Sequence, residues 1–256
     1  TPCLKACSNP LRETGYPMKT SKPRGGEYPI MIEGVAGTLR EEAEAVNERR
    51  LLVLAGADAD RFEAAERALA GADIDPSETV LIGYRDGLSC KRLEPAHADE
   101  LLGTTRDAVV VDCHDECSPN ALGQVVGCVD GGGLLVLLTP PFASWPSRRD
   151  EFDETLAVPP ASIDAVGGRF RGRLIATLEA HRGIAIVDID EGLVHDTGLT
   201  DPPPRRPPDP ISLPAGTTFP GSAYRACVTQ DQVSAVLAFE SLSTENRALV
   251  LAADRG

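Results

Sequence analysis

The sequence predicts an α/β protein with a doubly wound, mainly parallel central sheet, and three observations carry that prediction. Short uninterrupted apolar runs recur at 51–55 (LLVLA), 79–83 (TVLIG), 108–113 (AVVVDC), 133–139 (GLLVLLT) and 184–188 (IAIVD). Runs this short that do not alternate with polar residues suit strands buried on both faces. Charged stretches of helical period separate them, and regular strand–helix alternation favours parallel crossovers covered by helices.

The elements follow in order. Residues 39–50 (LREEAEAVNERR) predict a charged helix, and 51–55 the first strand, ending at Gly56. Residues 60–70 (DRFEAAERALA) are an amphipathic helix with Asp60 in the position of a cap. The second and third strands are 79–83 and 108–113; a helix over 120–129 then leads to the fourth strand at 133–139. Gly131, Gly132 and Gly133 precede that strand instead of following one, so they read as a tight turn and not as a phosphate cradle. A helix over 169–181 (RFRGRLIATLEAH) leads into the fifth strand. The proline-dense stretch 202–210 (PPPRRPPDP) cannot continue a helix or a central strand. It reads as a semi-rigid linker, or else as an extended surface loop. A helix over 224–242 and a strand over 248–252 (ALVLA) come after it.

Composition narrows the class. Hydrophobic residues make up 42% of 256, enough to build a core. The longest apolar stretch, 131–145, contains Pro140 and Pro141 and is too short to span a bilayer. With no signal-peptide pattern in the first thirty residues, the expectation is a soluble cytoplasmic protein. Net charge is −14, with only four lysines among 25 basic residues. Carboxylate excess with arginine replacing lysine suits a salt-rich cytoplasm, where screening removes self-repulsion; a merely acidic protein from a GC-rich genome is the alternative. Seven cysteines at irregular spacing suit reduced thiols.

The candidate nucleotide site lies at the chain's end. A strand at 248–252 runs into Ala253, Asp254, Arg255 and Gly256, the order in which a phosphate-binding loop begins. Gln232, in Thr229-Gln230-Asp231-Gln232, stands before the helix leading to that strand. A glutamine amide both donates and accepts, as adenine recognition requires; the plainer reading has Thr229 capping the helix and Gln232 exposed in its first turn.

Taken together, the segments YRACVTQDQVSAVLAFESL and RALVLAADRG resemble the entrance to the helicase-type ATPase module of the tRNA(Met) cytidine acetyltransferase family. That family's loop runs approximately Ala-x-Arg-Gly-Arg-Gly-Lys-Ser, which places Ala253, Arg255 and Gly256 at its first, third and fourth positions. Upstream, Asp112, His114 and Asp115, then 119–121 (PNA), 131–135 (GGGLL), 139–141 (TPP) and 166–174 (VGGRFRGRL), resemble the family's N-terminal domain. The resemblance covers about residues 31–256. It implies a multidomain enzyme that acetylates the exocyclic amine of a tRNA cytidine from acetyl-CoA, with ATP and Mg²⁺. Residues 1–30, with three of the four lysines and no helical or strand period, read as a disordered or non-native leader, and 201–215 as the Pro-rich linker; the resemblance makes 31–200 the N-terminal α/β domain and 216–256 the start of the helicase-like ATPase domain. Partners would be tRNA and the ATPase, acetyltransferase and tRNA-binding domains beyond this stretch. ATP would be met by Gln232 and by Ala253, Asp254, Arg255 and Gly256. No catalytic residue, bound cofactor or membrane contact is expected here. A non-catalytic RNA- or domain-interaction module is the alternative.

Other residues remain open. Cys113, His114 and Cys117 mix thiol and imidazole groups, but a structural zinc site needs a fourth ligand and no second pair accompanies them. No metal is therefore expected. Asp112, His114 and Asp115 sit where doubly wound sheets bind ligands, so a functional role stays open beside a structural one. Arg169, Arg171 and Arg173 form a basic cluster, either a solvated helix face or an RNA phosphate contact. Trp145 is either a loop anchor or a base-stacking residue.

Overall fold

The computed structural model describes residues 32–203, 210–242 and 248–251. Its centre is a seven-stranded sheet: β1 (Arg50–Ala55), β2 (Thr79–Ile82), β3 (Lys91–Leu93), β4 (Arg106–Asp112), β5 (Val129–Thr139), β6 (Ile184–Asp188) and β7 (Leu193–Thr197). The order across the sheet is β3-β2-β4-β5-β1-β6-β7, and only β6 and β7 pair antiparallel. All five strands predicted for the central sheet are present. The unforeseen β3 and β7 are edge strands, three and five residues long, without the apolar run of a buried strand.

Helices α1 (Ile32–Val46) and α2 (Arg61–Gly71) pack on one face over Leu52, Leu54, Val110, Val136 and Leu138. Helices α3 (Pro119–Val125) and α5 (Arg169–Ala180) cover Val53, Val109, Val111 and Leu137 on the other, with α4 (Glu151–Leu156) before α5. Successive strand residues thus feed opposite cores, which is why the runs carry no alternation. Truncating a fully buried member such as Leu138 to alanine costs about 2–5 kcal/mol.

Several boundaries differ from expectation. Helix α1 starts at Ile32 and stops at Val46, because Asn47 takes a left-handed conformation (φ 54°) and Arg50 enters β1. Gly131 to Gly133 belong to β5 instead of a turn before it. They are glycine because the backbone of α1 and β4 approaches there: a Cβ on Gly131 would lie 2.8 Å from the Asn47 carbonyl oxygen, and one on Gly133 2.6 Å from that of Asp107. Asp60 precedes α2 without making a side-chain cap bond. The helix expected over 120–129 ends at Val125, closes in a 3-10 turn, and has passed into β5 by Val129.

After β7 the chain is tied back. Glu42 accepts hydrogen bonds from Thr200 N (2.9 Å), Thr200 Oγ1 (2.7 Å) and Asp201 N (3.1 Å), and from Arg50 at 3.1–3.2 Å. Residues 204–209 of the predicted linker lie outside the described residues. The helix expected over 224–242 is two helices, α6 (Gly221–Arg225) and α7 (Gln230–Glu240), broken where Thr229 takes an extended conformation and caps the second. The strand expected over 248–252 is not formed by residues 248–251. Leu249, Val250 and Leu251 are exposed, and no strand among the described residues pairs with them. An apolar run becomes a buried strand only when neighbours satisfy its backbone. Ala252 lies outside the described residues, as do residues 1–31.

Candidate functional site

The carboxyl edge of the sheet gathers the loops after β1, β2, β4 and β5, and Asp112 stands at its centre. On β4, Val111 faces the α3/α5 core, so Asp112 points to the opposite face, beneath the start of α2. There Arg61 donates to its Oδ2 from Nε (3.1 Å) and Nη2 (3.0 Å). The other oxygen, Oδ1, accepts from the His114 backbone N (3.1 Å) and meets His114 Nδ1 at 3.0 Å. The His114 Nε2 reaches the Gly56 carbonyl at 3.2 Å, which closes the network over β5. Asp112, Arg61 and His114 are all buried. Burial alone would push the Asp112 carboxyl upward, but the bonds from His114 and Arg61 outweigh it and hold the group below its ordinary value of 3.8.

This arrangement is saturated: both carboxylate oxygens and both imidazole nitrogens are engaged inside the protein. It locks the connection between β1 and α2 to the one after β4 and leaves no free carboxylate lone pair toward solvent. Nearer the surface, Arg85 bridges Asp58 and Asp115 at 2.7 Å each, and Tyr84 donates to Glu116 at 2.5 Å. Arg61, Asp58 and Arg85 were not singled out from the sequence. The available signal was an arginine opening the helix after the first strand, opposite a carboxylate ending a central one.

Cys113 and Cys117 are buried, and their mutual hydrogen bond, with burial, keeps the Cys113 thiol well above its ordinary value. Among the described residues no group of three His, Cys, Asp or Glu side chains is placed to hold a metal ion. Trp145 is fully buried and stacks on Phe142 at 6.2 Å, so it anchors its loop and is not free to stack on a base. The predicted basic cluster splits. Arg171 turns inward, binding Asp150 (3.0 Å) and Asp153 (2.7 Å), while Arg169 and Arg173 stay exposed. The side chain at 171 points to the core because α5 presents that position, with Leu178 two turns on, to the sheet.

Gln232 lies elsewhere, in the first turn of α7. Thr229 and Gln232 form a reciprocal capping box: Thr229 Oγ1 accepts from Gln232 N at 3.3 Å, and Gln232 Oε1 accepts from Val228 N at 2.6 Å and Thr229 N at 3.4 Å. The plainer reading of Thr229 as a cap holds in this geometry. The side chain is exposed, and its amide NH₂ makes no hydrogen bond among the described residues. What Gln232 can offer a base is therefore a donor, with its oxygen available only if the box opens. Ala253, Asp254, Arg255 and Gly256 lie outside the described residues, so the structure brings none of the other loop candidates beside Gln232. No helix among the described residues is long and apolar enough to cross a membrane.

Residues 31–189 match the family described as tRNA(Met) cytidine acetyltransferase TmcA, N-terminal. The chain is 53% identical over 223 residues to the tRNA(Met) cytidine acetyltransferase TmcA of Haloarcula marismortui, covering 87% of this chain and 29% of that protein. It is 49% identical over 232 residues to the protein of that name from Haloferax volcanii, covering 88% and 30%. To the Pyrococcus abyssi protein it is 36% identical over 162 residues, covering 62% and 20%. The chain thus spans about 30% of the length of the two haloarchaeal relatives.

Proposed function

The chain belongs to the tRNA(Met) cytidine acetyltransferase family, and on that footing we propose that it serves as the N-terminal part of an ATP-dependent enzyme forming N4-acetylcytidine in tRNA from acetyl-CoA. The target is the wobble cytidine of elongator tRNA(Met) or another tRNA cytidine. The observation that supports this is similarity running through both parts of the molecule: 223 aligned residues cannot fit within the sheet domain alone.

In this reading the 256 residues make no bond to the reacting amine. No residue here is assigned to acetyl-CoA, which belongs to the remainder of the protein. ATP, when bound, supplies the free energy of phosphoanhydride hydrolysis. The exposed amide of Gln232 fits adenine as a donor, and residues 253–256 would form the near side of the phosphate loop with backbone N–H groups. The sheet domain acts as an interaction module, which the saturation of Asp112 favours, since a catalytic carboxylate needs a free oxygen.

The test is nucleoside mass spectrometry on tRNA(Met) transcript incubated with acetyl-CoA, ATP and Mg²⁺. The protein extended to the length of its relatives is expected to yield N4-acetylcytidine, and the 256-residue chain none. Product from the short chain would refute its non-catalytic role; none from the extended protein would refute the activity. Gln232→Glu sharpens the adenine assignment, because glutamate keeps the capping box but removes the amide donor. ATP affinity of the extended protein should fall by roughly 0.5–1.5 kcal/mol, the scale of one hydrogen bond, with the helix intact.

A further inference from the structure

We infer that the start of α5, at the carboxyl edge of the sheet, is a docking surface for the phosphodiester backbone of RNA, gripped by Arg148, Arg149, Arg169 and Arg173. The inference rests on the reading that RNA is the substrate, but it requires neither acetyl transfer nor ATP.

In a chain with 39 acidic side chains against 25 basic ones, most arginines of the sheet domain are held by carboxylates. Arg40, Arg50, Arg61, Arg67, Arg85, Arg92, Arg106 and Arg171 each have one within 4.0 Å. The four arginines of the patch are exposed and have none among the described residues, although Glu151 and Asp164 are exposed in the same stretch.

Two features bring the four together. Gly168 sits so close to the turn Trp145–Ser147 that a Cβ there would lie 1.7 Å from the Pro146 carbonyl oxygen. Arg171 then reaches across, donating to the Arg148 carbonyl at 2.7 Å and pairing with Asp150 and Asp153 below the surface, where its single charge offsets one of their two. Those two carboxylates are thereby turned inward, while Arg148, which also donates to the His114 carbonyl at 3.5 Å, Arg149, Arg169 and Arg173 stay exposed. Arg169 and Arg173 are four residues apart on α5 and so share a face. The N-terminus of α5 has no side-chain cap and no acidic residue in its first turn, so its positive end adds to the same field. Guanidinium forks match phosphate oxygens in geometry as well as charge. The acidic remainder repels a polyanion, which confines contact to this patch.

The experiment uses the 256-residue chain with a fluorescein-labelled RNA stem–loop, read by anisotropy without nucleotide or acetyl-CoA over a series of salt concentrations. The expected slope of log affinity against log salt is about −3 to −3.5, from roughly 0.7–0.9 per neutralised phosphate. The pair Arg169→Gln with Arg173→Gln should reduce its magnitude by about 1.5 and weaken binding roughly tenfold at low salt. Arg169→Lys with Arg173→Lys should keep the slope. The control pair Arg49→Gln with Arg182→Gln, exposed and likewise without a carboxylate within 4.0 Å among the described residues, should change affinity less than about twofold. The inference is overturned by absence of saturable binding, by an equal loss in the control pair, or by polyglutamate competing as well as unlabelled RNA, which would mark the surface as a protein contact. Loss of acetylation with RNA binding intact would count against the proposed activity and leave the docking surface standing.

Discussion

The carboxyl edge around Asp112, where a functional role stood open, and the first turn of α7 around Gln232, where ATP was expected, are built in opposite ways. Asp112 is buried, with its acceptors filled by His114 two residues on and by Arg61 from a helix far away in sequence. Gln232 is exposed and bonded only to its own turn, and the apolar run 249–251 downstream lies open to solvent. A filled network in a core holds the fold. Gln232 keeps a spare amide donor at the surface, which Asp112 does not. The contrast separates a filled architectural network from a polar group with free valence.

The sharpest way to break this contrast is Asp112→Ala. It removes the buried counter-charge of Arg61 and leaves only the half-exposed Asp58 carboxylate at 2.6 Å, a loss of up to about 3–5 kcal/mol. Urea unfolding of the sheet domain is expected to show that loss, and a change under about 1 kcal/mol would mean the network is less buried than drawn. The pH dependence follows from the same group. Its folded pKa lies below the ordinary 3.8, so its contribution is present above that value and is lost as pH falls through the lower folded value. Asp112→Asn should flatten that acid limb of the stability curve.

Next in size is Gly168→Ala. A methyl group 1.7 Å from a backbone oxygen forces the start of α5 off the Pro146 turn, at a cost of about 1–3 kcal/mol. A melting temperature equal to that of the parent would show that the two segments separate freely. Smallest is Thr229→Ala, which removes the cap of α7 for roughly 1 kcal/mol. Hydrogen exchange should speed up in residues 230–233 and stay unchanged across β4 and β5; a spread into the sheet would tie the two regions together and dissolve the contrast.

The five central strands were legible because each apolar run feeds two cores at once, a demand that leaves a continuous signature at Leu52–Ala55 and Val109–Val111 alike. Edge strands β3 and β7 carry no such demand, so KRL and LVHDT look like loop. The position of Asp112 at a ligand-type edge was readable, but its saturation was not, since Arg61 is fifty-one residues away and no local pattern announces the pair. Likewise Arg171 and its neighbours share one chemistry in the sequence, and only the rotation of α5 about its axis separates the buried member from the exposed ones.

The clamp that Glu42 places on Thr200 and Asp201 has a mechanical consequence. It fixes one end of the stretch that leads to Pro210. From Pro203 to Pro210 a fully extended chain reaches at most about 25 Å, so whatever follows is confined to a small volume around one point on α1. Confinement of that kind amounts to an effective concentration in the millimolar range. Contacts between the two segments too weak to survive between separate molecules would then be occupied for much of the time.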